Sequence, residues 1–202
     1  MSSDTAVSAQ LRKIVEEHLA QSAAVKQATA DQCTSVILQA AEVIARSFIA
    51  KKKLLLCGNG GSAADCQHMA AEFVSRLTKD FRRPALPAIA LTTDTSFLTA
   101  FANDENFEDI FARQVQGFGV AGDVLIGIST SGGSKNVLRA FAQAKEQGMS
   151  TILLTGQHGT GASNADLIIA VPNGSTQHIQ ESHLAIEHIL CDLVERHVFK
   201  KQ

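Results

Sequence analysis

The chain has 202 residues, a formal net charge of −2 and 45% hydrophobic residues. That length can bury one real core, and a small, scattered charge leaves no electrostatic footprint for nucleic acid. No stretch is apolar enough to span a membrane and the amphipathic, charged N-terminus has no apolar signal region, so a soluble, cytoplasmic protein is expected.

From about Ser8 to Ala50 the pattern reads as two helices with no strand signal. Leu11, Ile14, Val15 and Leu19 recur at helical spacing, and Val36, Ile37, Ala40, Ala41, Ile44 and Phe48 do the same. Two helices exceed what a small sheet needs as cover. Residues 1–50 are therefore expected to form an arm that packs on the domain and on a neighbouring subunit, with the domain itself at 51–202. Lys51–Lys53, the one basic run, reads as a solvated patch.

Strands and helices then alternate. The apolar runs Lys53–Cys57, Ala88–Leu91, Asp123–Ile128, Thr151–Leu154 and Leu167–Val171 read as strands. Helices are expected over Ser62–Leu77, after Asp94, near Phe107–Phe118, over Ser134–Gln147 with Gly148 as its stop, and from about Thr176 to Phe199. This alternation predicts an α/β fold, a doubly wound, flavodoxin-like five-stranded parallel sheet flanked by helices. Cys33, Cys57, Cys66 and Cys191 form no C-x-x-C and read as buried free thiols.

In such sheets ligands bind beyond the C-terminal strand ends, and two loops there have phosphate chemistry. In Gly58-Asn59-Gly60-Gly61-Ser62 the glycines let backbone N–H groups approach a ligand at a helix N-terminus. Ser129-Thr130-Ser131-Gly132-Gly133-Ser134 sets four hydroxyls within six residues. Gly58-x-Gly60-x-x-Ala63 also fits a dinucleotide fingerprint, but the acid expected later would fall at Asp80, in a polar stretch. Ser134 alone also fits a helix cap, a role that needs one hydroxyl and not four.

His68 and Glu72, four residues apart, share a helix face. Such pairs are common on surface helices, yet this helix is otherwise apolar or small and is expected to be buried. An imidazole beside a carboxylate suits either acid–base work or a divalent metal. The last helix adds Gln180, Glu181, His183, Glu187 and His188. Gln180, His183 and Glu187 share a narrow arc, and His183 fits a core histidine equally well. His18 and His197 read as surface residues, His158 as a loop residue, and His178 lies on the approach to the last helix.

The segments GNGGSAADCQHMAAEF, PAIALTTDTSFLTAFANDENFEDIF, GDVLIGISTSGGSKNVLRA and IQESHLAIEHILCDL, spread from Leu54 to Leu193, resemble the sugar isomerase (SIS) family of phosphosugar-binding domains. Within it they are most similar to the phosphoheptose isomerases. The resemblance implies an aldose–ketose isomerase. Its reaction would convert sedoheptulose 7-phosphate to D-glycero-D-manno-heptose 7-phosphate through an enediolate, the first step of ADP-heptose biosynthesis for the lipopolysaccharide core. It also implies one zinc per subunit and a homotetramer with active sites at subunit contacts. The family's metal positions match His68, Glu72, Gln180 and His188, and its catalytic positions Glu72 and His188. Its sugar-phosphate positions match Asn59, Gly60, Ser62, Asp94, Ser129, Thr130, Ser131 and Ser134, with Glu72 and Gln180. Gly133 stands where the family often has Asn, and His178 where it commonly has Arg.

Gln180 and His188 are eight residues apart, about 12 Å of helix rise, so one ion cannot easily reach both on one chain. Either a subunit contact completes the set or not every ligand binds at once. The rival reading is a non-catalytic SIS protein that binds a replication initiator. Relatives of that kind replace the acidic helix residue and the last histidine, whereas Glu72 and His188 are both present here. A dinucleotide-binding oxidoreductase ranks third.

Overall fold

In the computed structural model residues 2–159 and 164–200 are described, with the backbone alone for residues 2–7. The chain opens with α1 (Ser2–Ile49), a single helix of 48 residues and not the expected pair. The segment between Leu19 and Val25, AQSAA, holds no glycine or proline, so nothing interrupts helix propagation. At 1.5 Å per residue α1 is about 72 Å long, far more than the sheet needs. Its second half buries Ile37, Ala40, Ala41, Ile44 and Phe48 in the core. Its first half leaves Leu11, Ile14, Val15 and Leu19 at 56–64% exposure, an unpartnered apolar stripe.

The elements that follow are β1 (Leu54–Gly58), α2 (Gly61–Val74), β2 (Ala88–Ala90), α3 (Thr95–Asp104), α4 (Ile110–Phe118), β3 (Val124–Ile128), α5 (Lys135–Glu146), β4 (Ser150–Gly156), β5 (Leu167–Val171) and α6 (Thr176–Phe199). The five strands pair in parallel in the order β2-β1-β3-β4-β5, as the alternation predicted. Side chains alternate across the sheet. Leu54, Leu56, Ile126 and Ile128 face α1, α2 and α6, where Ile44, Met69, Phe73 and Leu190 pack. Leu55, Cys57, Leu125 and Leu153 face α4 and α5, against Phe111, Val115 and Phe141. Both layers exclude water, which is why the strands read as unbroken apolar runs. All four cysteines are buried free thiols.

Two local details depart from the sequence reading. Lys53 is not part of a solvated patch, because its ammonium pairs at 2.5 Å with Asp123, whose side chain is fully buried. Helix α2 stops at Val74, short of Leu77, because its last carbonyls are claimed. Arg83 donates to Phe73 O at 2.7 Å and to Glu72 O at 2.8 Å, and its Nε donates to Glu195 at 2.7 Å. Both side chains of that ion pair are buried.

Candidate functional site

The strand order reverses between β1 and β3, and the loops that leave their C-terminal ends flank the crevice this creates. The first loop feeds α2 and the second feeds α5. Neither helix has a side-chain cap, so their first-turn N–H groups are left for a ligand. Ser134 stands at the cap position of α5, yet its hydroxyl pairs with the Ser129 hydroxyl at 2.9 Å. The capping alternative is thereby set aside.

The two loops are tied by a pair that sequence reasoning missed. Asn59 Nδ2 donates to Asn136 Oδ1, and Asn136 Nδ2 donates back to Asn59 Oδ1, both at 2.9 Å. Asn136 is nearly fully buried, and no local signal marked it. Gly132 has φ +69°, and a Cβ there would meet Gly159 Cα at 2.4 Å, so the turn tolerates glycine alone. Thr130 and Ser131 line a cavity of about 190 Å³ with Gln157, His158 and Asn173, three further polar residues the sequence did not single out.

Asp94 stands apart. Its carboxylate accepts from Phe97 N at 3.0 Å as the N-cap of α3, and it lines a separate cavity with Phe97 and Arg113 beyond the edge strand β2.

The chemistry-bearing pair lies further along α2. His68 Nε2 and His188 Nε2 are 2.8 Å apart, joining residues 120 positions distant in sequence. Two nitrogens at that distance share one proton, so at least one presents a lone pair. Glu72 Oε1 is 4.0 Å from His68 Nε2, and Glu72 Oε2 is buried without a hydrogen-bond partner. The core-facing residues of α2 are Ser62, Cys66, Met69, Ala70 and Phe73. His68 and Glu72 flank that face, with side chains 40% and 21% exposed, so the expectation that they are buried is corrected. Two imidazoles and a carboxylate with an unsatisfied oxygen are the donor chemistry of a divalent zinc ion.

Gln180 lies at the other end of α2, its Nε2 only 2.6 Å from where a Cβ on Gly61 would stand. Gly61 and His68 are two helical turns apart, about 10.5 Å of rise. The chain thus brings Gln180 to the glycine loop and His188 to His68, and not all four expected metal donors to one point.

Beneath the pair, the remaining members of the predicted arc turn inward. Glu187 is fully buried with neither oxygen hydrogen-bonded; burial, then the charge of Asp65, pushes its carboxyl up to about 9. It is a neutral acid at neutral pH. Burial likewise holds His183 down at about 4, and its Nε2–H donates to Thr155 O at 3.2 Å. His183 is a core histidine. His178, also buried, faces Gln21 of α1 and Glu181, away from the serine loop.

With this geometry in view the comparisons are decisive. The family described as SIS domain matches residues 17–156. Phosphoheptose isomerase of Sulfurimonas denitrificans is 45% identical over 192 residues, covering 94% of this chain and 97% of that protein. The chain belongs to the SIS domain family, among its phosphoheptose isomerases. Two solved phosphoheptose isomerases share the whole architecture. That of Neisseria gonorrhoeae superposes with a TM-score of 0.84 at 42% identity, covering 92% of this chain and 98% of that one. That of Francisella tularensis gives 0.86 at 36% identity, with 93% and 98% covered. As a SIS phosphoheptose isomerase, the chain carries its hydroxyl loop, its glycine loop and its His/Glu pair on the frame those structures share.

Proposed function

We propose that this SIS isomerase interconverts sedoheptulose 7-phosphate and D-glycero-D-manno-heptose 7-phosphate. The observation that carries the reading is that α2 starts at an anion cradle and carries, further along, His68 in contact with His188. The cradle consists of two uncapped helix N-termini and the Ser129–Ser134 loop, locked together by Asn59 and Asn136. The acid–base residues are Glu72, three turns along α2 from Gly61, and His188, which meets His68 two turns along. That spacing of about 10.5 Å suits a long ketose phosphate lying extended, phosphate in the cradle and carbonyl end at His188.

Ser129, Thr130, Ser131 and Ser134 hold the phosphate with the N–H groups of Gly60, Gly61 and Ser62. Gln180, over Gly61, orients the sugar chain. Glu72 removes the proton from C1, and the enediolate that results is reprotonated at C2. His188 moves the proton between the two oxygens, its lone pair or N–H set by exchange with His68. His68, Glu72 and His188, with a Gln180 supplied by a second copy, would hold zinc, with Glu72 alternating between ligand and base. When bound, the ion supplies charge that polarises the carbonyl oxygen.

The apolar stripe of α1 supports self-assembly, for which a homotetramer is the form proposed, because Leu11, Ile14, Val15 and Leu19 are exposed among the described residues. No described helix is long and apolar enough to cross a membrane. A cytoplasmic role in making the heptose of the lipopolysaccharide core fits these features. The test is incubation of the purified protein with sedoheptulose 7-phosphate, with and without chelator, beside Glu72→Gln. Aldose phosphate should form with the wild type and not with the variant. No product from the zinc-replete wild type would overturn the isomerase reading, and activity that survives thorough chelation would overturn only the zinc assignment.

A further inference from the structure

Another cluster of donors lies on a different face from the crevice. His18 projects from the exposed half of α1, and His178 and Glu181 from the first turns of α6. The two rings lie 4.5 Å apart between centroids, and the Glu181 carboxylate bridges their edges, with Oε1 2.7 Å from His18 Nε2 and Oε2 3.3 Å from His178 Nδ1. One ligand atom from each residue lies within 4.8 Å of the other two. Among the described residues no other trio of His, Cys, Asp or Glu donors is so close, His68, Glu72 and His188 included.

We propose that His18, His178 and Glu181 form a second divalent-cation site, of the zinc class, that fastens α1 to α6. Two imidazole nitrogens and one carboxylate oxygen, with a fourth position open to water, form a set that zinc accepts. Bonds of about 2.0–2.1 Å at tetrahedral angles place ligand atoms about 3.3 Å apart, a spacing reached here by small side-chain rotations. Gln21 Oε1 lies 3.3 Å from His178 Nε2 and accepts its proton in the tautomer that leaves Nδ1 free for a cation shared with Glu181.

Burial favours the same reading. His178 is 6% exposed and fixed by its neighbours, whereas the His18 side chain is 45% exposed and leaves the site an entry path. Lys26, 4.0 Å from Glu181 Oε2 and hydrogen-bonded to Ser22, opposes an ion there. Its long, 41% exposed side chain is free to swing out. The site ties residues 163 positions apart, one residue from Gln180, so an ion there would stiffen the turn that sets Gln180 over Gly61.

The test uses Co2+ alone as probe on the full-length, metal-stripped H68A/H188A protein, in which the crevice has lost its imidazoles. One Co2+ per chain with visible ligand-field absorption is expected. Adding His18→Ala, a change at an exposed position that leaves the fold intact, should weaken that binding roughly tenfold or more. Zn2+ should raise the melting temperature of H68A/H188A and leave that of the H18A/H68A/H188A triple variant unmoved. No Co2+ uptake by H68A/H188A, or uptake unchanged by His18→Ala, would overturn the proposal. Either result leaves the crevice zinc to be judged on the wild type separately.

Discussion

Arg83 offers the sharpest test of how the fold holds Glu72. Its guanidinium sits inside the protein, bonded to Glu195, to Phe73 O and to Glu72 O. Arg83→Met keeps much of the side-chain volume, but it leaves a buried carboxylate without its cation and removes a donor from Glu72 O and from Phe73 O, which keeps Leu86 N. Removing one partner of a buried ion pair costs about 3–5 kcal/mol. A loss of about 4 kcal/mol lowers the melting temperature on the order of 10 °C for a chain of this length. The double variant Arg83→Met/Glu195→Leu removes both charges and should recover most of the loss, because a matched apolar pair is close to neutral in place of a buried bridge. Thermal and urea unfolding of the three proteins gives both numbers. The turnover of Arg83→Met, assayed well below its melting point, should also fall, since the backbone that carries Glu72 loses an anchor. A single variant that melts within about 2 °C of wild type, or a double variant no better than the single, would refute this reasoning.

Other expectations follow from the same contacts. Asn136→Ala strands the Asn59 amide in the crevice, at a cost of about 1–3 kcal/mol, and should raise KM for the sugar phosphate more than it lowers kcat. Gly61→Ala places a Cβ 2.6 Å from the flexible end of Gln180, so stability measured by melting should hardly change while kcat/KM drops. Gly132→Ala meets backbone at 2.4 Å with φ +69°, and should both destabilise the chain and abolish phosphate binding measured by calorimetry. Glu187→Met replaces a buried acid that has no hydrogen-bond partner, and should raise the melting temperature by a few degrees, in line with a gain of about 1–3 kcal/mol.

The sheet was legible because each strand is a short apolar run closed by glycine or polar residues, and both faces are covered. The extent of α1 was not. Its apolar spacing fades after Leu19 because the face it buries there carries Ser22 and Thr29 beside Val25 and Cys33, and the fading imitated a turn although AQSAA contains nothing to break a helix. The phosphate loops were legible from hydroxyl and glycine density at strand ends. Asn136 was not, since its meaning lies in Asn59, 77 residues away. Arg83 looked like one more charge in a polar stretch, and only the packing of α2 against α6 shows it buried. His68 and Glu72 were identified by spacing, but helix composition misplaced them. Burial on a helix belongs to one face, and the pair sits beside that face, where a second subunit can reach it.

Deuterium incorporation tests the central claim most directly. Sedoheptulose 7-phosphate incubated with the wild-type protein in D2O, followed by NMR, should yield the aldose phosphate carrying deuterium at C2, because the proton that Glu72 takes from C1 exchanges with solvent before its return. Glu72→Gln should give neither aldose nor exchange at C1. An aldose product free of deuterium would contradict exchange of the Glu72 proton with solvent, and no aldose at all would contradict the isomerase itself.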